Sequence, residues 1–478
     1  MSRLVFISNR VAAPKEGEAF PSGGLATAIR SAIRHHDALW IGWSGRIAES
    51  ERGPVSIQDV AGASIATFDL TRDEYEEYYN GYANRTLWPL FHYRVDLAQY
   101  ERAYSRRYYD VNDLFAQMAQ PLLGPDDLIW IHDYHLIPCA EALRQRGVKN
   151  RIGFFLHTPW PARELLVTLP RHQNLVRALF AYDLLGFQTE IDRQAFHDYV
   201  VNEAGGHVLT DGTAICFGRS VATGAFPIGI DVDLFADLPN GGPARRHQRR
   251  IEQSTGGRQL IFGVDRLDYS KGIPDRFAAY ERLLEAHPDH RNNVVLLQIA
   301  TSSRSEVDEY QNMRLELEAM AGRINGRYAE YDWVPLRYVN RSYSQAALAG
   351  LYRAADIAFI TPLRDGMNLV AKEFVAAQDP ADPGVLILSR FAGAGRELRE
   401  ALIVNPYDRA EMADALQRAL AMPLDQRRMR WRSMMDSLVR NDVVAWREGF
   451  VAALQSVPVT HDNEPVGDIV PPAGRAAG

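Results

Sequence analysis

Short continuous apolar runs alternate with stretches of helical spacing along nearly the whole chain. In the first half the runs fall at residues 4–8, 39–43, 128–132, 152–157, 184–188 and 226–230. In the second half they fall at 259–264, 294–299, 357–360, 385–388 and 402–404. Runs without polar alternation mark strands buried on both faces, as in parallel sheets flanked by helices. Residues 71–93 are polar and aromatic-rich and read as helical or irregular. Residues 411–421 and 429–454 read as closing helices. The predicted class is α/β, with two similar strand–helix series.

The pattern breaks once. Residues 236–257 are first rich in turn formers and then basic, so the connection between two domains is placed here or just before it. The expected domains are 1–235 and 236–457. Residues 458–478, rich in Pro, Gly and polar side chains, read as a disordered tail. A chain of 478 residues exceeds what one core usually organises, and 46% hydrophobic residues are ample for two.

Charge and cysteine usage narrow the function. A formal net charge of −7 and a pI near 6.0 argue against nucleic-acid binding through net basicity. Cys139 and Cys216 are too few for a disulfide scaffold or a cysteine metal site, and fit a reducing compartment. The opening MSRLVFISNR has too short an apolar run for a signal sequence, and no stretch approaches a membrane span. The expectation is a cytoplasmic, soluble protein with no membrane partner.

Candidate chemistry gathers at strand ends. Residues 361–373, TPLRDGMNLVAKE, read as a strand end, a tight turn and a helix opening at Met367. Such loops bind ligands in open α/β sheets, and a helix N-terminus suits phosphate. Asp365 and Glu373 are carboxylates with seven residues between them. Residues 264–272 form a second loop of this type, with Arg266 and Lys271 placed to neutralise a diphosphate leaving group. Arg10 before Gly23-Gly24, and Arg304 after 294–299, repeat the pattern. The guanidinium fork matches phosphate geometry. A lone Gly-Gly is by default a plain turn, and the following helix and the strand-end arginine bring the phosphate-loop reading level with it.

His132, Asp133 and His135 invite a metal reading, but neighbours in a strand face opposite ways and no matching ligand set follows. Asp133 reads better as an acceptor of sugar hydroxyls, and His157 as a strand-end residue facing a cleft. Trp40, Tyr79 and Trp88 are candidates for the wall of a sugar site, against the ordinary alternative of a packing stripe.

Together these motifs resemble the trehalose-6-phosphate synthases, retaining glycosyltransferases of family 20. The likeness spans about residues 3–457 and is carried by SNR at 8–10, SGGL at 22–25, LWPLFHY at 87–93, IWIHDYHL at 129–136, RIGFFLHTPWP at 151–161, LLGFQT at 184–189, DRLDYSKG at 265–272 and TPLRDGMNLVAKE at 361–373. It implies two Rossmann-like domains facing a cleft, the GT-B architecture, with the last helix crossing back onto the first domain. It also implies transfer of glucose from UDP-glucose, or from GDP- or ADP-glucose, to glucose 6-phosphate.

On that resemblance Arg10, Tyr79, Asp133 and Arg304 would hold glucose 6-phosphate. Gly23, Gly24, Arg266, Lys271, Tyr343, Leu369, Val370, Ala371, Lys372 and Glu373 would hold the nucleotide-sugar. His157 and Asp365 would contact the donor glucose. Trp88 and Thr158 would set acceptor selectivity. The family often has Ile and Phe where this chain has Thr158 and Trp160, which leaves fine selectivity open. No cofactor or metal is expected, since protein cations would neutralise the leaving group. The resemblance further implies a homo-oligomer, dimer or tetramer, and a separate protein to remove the product's phosphate. The alternatives are a related transferase, including a pseudo-glycosyltransferase, and a silent sugar-phosphate sensor. The sensor should have lost some of these arginines and carboxylates, and all are present.

Overall fold

The computed structural model describes residues 3–11, 38–49, 52–60, 63–301 and 308–458. Gly23, Gly24 and Arg304 lie outside them, as do residues 459–478.

The first sheet contains β1 (Leu4–Arg10), β2 (Ala38–Ala48), β3 (Ser56–Val60), β4 (Ala63–Thr71), β5 (Leu128–His132), β6 (Ile152–Phe155), β7 (Leu184–Phe187), β8 (His207–Val208), β9 (Ala214–Cys216) and β10 (Arg219–Ala225). Their order is β3-β4-β2-β1-β5-β6-β7-β10-β9-β8. From β4 to β10 the neighbours run parallel, and antiparallel pairs close each edge. The second sheet is wholly parallel: β11 (Gln259–Arg266), β12 (Val294–Thr301), β13 (Leu336–Val339), β14 (Ile357–Ile360), β15 (Val385–Ser389) and β16 (Leu402–Val404). Its order, β13-β12-β11-β14-β15-β16, is the doubly wound arrangement. Strand order reverses at β1/β5 in the first sheet and at β11/β14 in the second. Ligands bind at such switch points in open parallel sheets.

Most buried central strands lie where the apolar runs place them, but interior β4 (Ala63–Thr71) and β10 (Arg219–Ala225) fall outside those runs. The other misses concern edges and connections. Residues 226–230 are not a strand; β10 ends at Ala225, and the chain leaves the sheet through Pro227, which has no N–H to donate. Residues 236–257 are not a simple link, because Gly242–Thr255 is a helix with Ala244, Ile251 and Thr255 buried. The helix assigned to Met367 begins at Leu369, capped by Asn368.

Residues 71–93 form an unusual element. Thr71 and Glu74 make a reciprocal capping box at its start. Tyr75–Leu87 is then a π-helix, and the Trp88 N–H reaches back five residues to the Ala83 carbonyl. Tyr78 Oη donates to Asn9 Oδ1 at 2.7 Å, tying this element to β1.

The helix Val443–Ser456 packs on the first sheet. The Phe450 ring stacks on Trp130 at 4.2 Å, and Trp446 lies 5.2 Å from Phe155. Gly153 and Gly186 make this possible, since a Cβ on either would come within 2.6 or 2.7 Å of the Phe450 ring. Burying one such aromatic contributes about 1.5–3 kcal/mol.

Candidate active site

The crevice at the first switch point is lined by the end of β1, β2, the π-helix and the turn after β5. Arg10 ends β1 exposed, with its guanidinium carbon 5.7 Å from the Trp43 ring centroid. Gly45, at φ +87°, leaves room for it: a Cβ there would meet Arg10 Nε at 2.5 Å. Tyr79 lies between Trp43, at 5.6 Å, and His135, at 5.9 Å. Trp40 is not part of this wall. Both tryptophans are buried, but Trp40 donates its Nε1–H to Ser8 Oγ at 2.8 Å, whereas Trp43 packs beside Arg10 and Tyr79. Residues 40 and 43 point to opposite faces of β2, and Trp43 faces the crevice.

Asp133 follows β5 with φ +74° and ψ 163°, a backbone region costing an L residue about 1–3 kcal/mol. Its Oδ1 accepts the His157 N–H at 3.2 Å. Burial pushes the carboxyl up to about 6, against backbone donors from Tyr134, His157 and Thr158 and the positive charge of Arg266. His157, one residue beyond Leu156 after β6, is partly open to the crevice. Its Nε2 lies 3.1 Å from His132 Nδ1, and its Nδ1 lies 3.5 Å from Gln188 Nε2. Burial lowers His157 to about 3 and His132 well below the usual imidazole range, so both are neutral.

At the second switch point, Arg266 ends β11 exposed. Lys271 is buried in the following turn, with Nζ 2.5 Å from Asp365 Oδ2. Asn368 Nδ2 donates to the same oxygen at 3.1 Å, while its Oδ1 accepts the Ala371 N–H. Burial pushes Asp365 up, but Lys271, His92 and Asn368 outweigh it and hold the carboxyl below its usual range. The N–H groups of Leu369 and Val370 have no intrahelical acceptor and carry the positive end of the helix dipole. One turn on, Glu373 Oε2 accepts the Tyr352 hydroxyl at 3.0 Å, and burial raises its carboxyl to about 7. Tyr343 is half-buried beside His247. Lys372 turns away from this crevice. Its Nζ donates to Ile228 O at 2.7 Å and lies 2.5 Å from Glu397 Oε2.

The two crevices meet. Gly366 packs on the carbonyl of His157, and Gly393 packs on the carbonyl of Gly366. Cation–π contacts reinforce the seam. Arg266 lies 5.1 Å from the Trp88 ring, Arg364 lies 3.7 Å from Tyr93, and Arg94 lies 5.5 Å from Tyr269. The arrangement brings His157 and Thr158 against the Asp365–Gly366 turn, and Asp133 and Trp88 against Arg266. The Thr158 hydroxyl is buried without a hydrogen-bond partner.

Several residues escaped the motif reading. Arg276 is fully buried behind the Lys271 turn. It donates to Asp265 at 2.5 Å, Gln298 at 2.8 Å, Thr361 at 3.1 Å and the Lys271 carbonyl at 3.3 Å. Gln188, Trp43, His92 and Asn368 were also missed, although Gln188, His92 and Asn368 lie inside quoted motifs. Among the described residues no group of His, Cys, Asp and Glu could hold a metal ion, and no helix is long and apolar enough to cross a membrane.

This geometry matches known proteins over nearly the full chain. Residues 9–456 match Glycosyltransferase family 20. A trehalose-6-phosphate synthase of Sinorhizobium fredii is 49% identical over 453 residues, covering 94% of this chain and 98% of that protein. The solved α,α-trehalose-phosphate synthase (UDP-forming) of Burkholderia xenovorans, in complex with glucose-6-phosphate, superposes with a TM-score of 0.92 at 50% identity, over 95% of this chain and 100% of that one. An E. coli structure bound with UDP-2-fluoro glucose superposes with a TM-score of 0.91 at 47% identity, over 96% and 100%. The two facing parallel sheets are the GT-B architecture, and the chain belongs to glycosyltransferase family 20.

Proposed function

We propose that the chain is an α,α-trehalose-6-phosphate synthase that transfers glucose from UDP-glucose to glucose 6-phosphate with retention. The observation that carries this reading is the meeting of the two switch-point crevices at Gly366 and His157, which sets Arg266 and Lys271 against the aromatic crevice of Trp43 and Tyr79.

On this reading the first crevice takes the acceptor. Arg10 and Arg304 hold its phosphate, Tyr79 and Trp43 cover its ring, and Asp133 accepts sugar hydroxyls. Fixing the acceptor in this way removes much of the entropic barrier. The second crevice takes the donor. Arg266, Lys271 and the amides of Leu369 and Val370 stabilise charge growing on the departing UDP. Gly23 and Gly24 approach the phosphates, Ala371 completes the helix turn, Tyr343 lies by the base, and Glu373 accepts the ribose hydroxyls. Asp365 and His157 contact the transferred glucose. Trp88 and Thr158 border the acceptor and set its selectivity. The acceptor hydroxyl attacks from the face UDP leaves, and the leaving phosphate takes its proton. Protein cations supply the neutralising charge, so no metal or cofactor is required. We place the enzyme in the cytoplasm as a homo-oligomer, with a separate phosphatase consuming its product.

The test is an assay of purified protein with glucose 6-phosphate and UDP-, GDP- or ADP-glucose, with the product identified by NMR. An α,α-linked disaccharide phosphate, formed fastest from UDP-glucose, is expected. No turnover with any donor, or a different linkage, would overturn the reading.

A further inference from the structure

We infer that Gln188 and Lys372 are positioning residues for His157, joined to it by a hydrogen-bond relay that crosses between the two sheets. The inference rests on the reading of His157 as a contact for the transferred glucose.

The relay starts on the helix Leu369–Ala377. The Lys372 side chain is fully buried, and a buried ammonium is stable only when paired and hydrogen-bonded. Glu397 supplies the charge, and the Ile228 carbonyl supplies an acceptor at 2.7 Å. Lys372 thereby pins the peptide chain at Ile228, on the far side of the seam. The Ile228 N–H in turn donates to Gln188 Oε1 at 3.1 Å.

That contact orients the amide. Only the carbonyl oxygen of Gln188 can accept from an N–H, so the NH2 group faces His157. His157 Nδ1 must then offer a lone pair, and the proton of the neutral ring sits on Nε2. From there it is donated to His132 Nδ1 at 3.1 Å. The His132 proton is left on Nε2, a buried atom with no hydrogen-bond partner. Each tautomer follows from the donor before it. Both ring nitrogens of His157 are thus engaged by protein, and the ring plane is held from both ends. Lys372 lies on the same helix whose N-terminus faces the leaving group. The relay therefore makes that helix and His157 a single mechanical unit.

Gln188→Glu tests this. It keeps an oxygen for the Ile228 N–H but presents a carboxylate oxygen to His157 Nδ1, which draws the ring proton there. In protein labelled with 15N-histidine, the His157 signals, assigned by their loss in His157→Asn, should show an Nε2–H tautomer in the wild type and protonation of Nδ1 in Gln188→Glu. The kcat should fall about tenfold or more, while KM for glucose 6-phosphate stays within about twofold. At the far end, Lys372→Met with Glu397→Met removes the buried pair together and should convert the His157 signals to a tautomer mixture. A wild-type His157 protonated on Nδ1, or a Gln188→Glu enzyme with wild-type tautomer and kcat, would overturn the inference. Failure of the functional reading shows separately, as a wild-type enzyme without turnover.

Discussion

A Cβ placed on Gly366 would lie 2.1 Å from the carbonyl oxygen of His157. The obstacle is backbone, which cannot swing aside as a side chain can. Gly366→Ala should force the crevices apart and lower kcat/KM about 100-fold, since misplacement near 1 Å costs that much. Gly322 is the contrast. It lies in the helix Asp308–Tyr328 with no atom near its Cβ position. Gly322→Ala should leave turnover unchanged and raise stability by about 1 kcal/mol. Steady-state kinetics and thermal melts separate the two.

Lys271→Ala should reduce kcat about 10²–10³-fold, the usual cost of removing one stabiliser of transition-state charge. It also removes the main influence holding the Asp365 carboxyl down, leaving burial to raise it. The variant's residual activity should therefore fall off at a higher pH on the acid side than the wild type's. A pH–rate profile with an unmoved acid limb would refute the pairing's role.

Trp43 and Trp40 should part company. Trp43→Ala removes the wall beside Arg10 and Tyr79, and should raise KM for glucose 6-phosphate about tenfold, losing aromatic contact of the order of 1 kcal/mol. Trp40→Phe loses the hydrogen bond to Ser8 within the core, so it should lower the melting temperature and leave that KM unchanged.

The Glu373 carboxyl stands near 7 in the folded chain, above its ordinary 4.5, because of burial. A raised carboxyl binds its proton more tightly when folded. This group therefore favours the folded state most at low pH, and the contribution is lost as pH rises from 4.5 through 7. Ribose hydroxyls donating to the ionised form would act in the opposite direction. UDP affinity should therefore increase between pH 6 and 8, and Glu373→Gln should flatten both trends. Calorimetric titration and melting curves across that range check them.

Most central strands were legible because burial on both faces demands uninterrupted apolar runs. Interior β4, ASIATFDLT, and β10, RSVATGA, were not, because Ser, Thr, Asp and Gly interrupt their apolar positions. Edge strands were not: β3, SIQDV, and β13, LRYV, each keep one side open and carry polar residues. Within the site, Asp133, His157, Lys271 and Asp365 lie inside motifs, whereas Trp43 and Tyr79, which wall the crevice, lie in none. Arg276 reads as an ordinary helix-surface arginine, and only tertiary packing shows it buried. Trp40 is the wall candidate in the sequence and Trp43 is not, because alternation separates the faces of β2 without saying which one meets the crevice. The Gln188–His157–His132 contacts join segments from β7, β6 and β5, and no local spacing encodes them.

The packing of Phe450 against Trp130 and the two glycines also bears on how the chain is made. Ribosomal synthesis delivers the first sheet early, but the aromatic cover over β5, β6 and β7 belongs to the last described helix. Until those final residues emerge, an apolar face of the first sheet stays wet, inviting the aggregation to which incomplete folds are prone. The first domain is thus translated first and finished last, and a chain cut before Val443 should be a substrate for chaperones rather than a smaller enzyme.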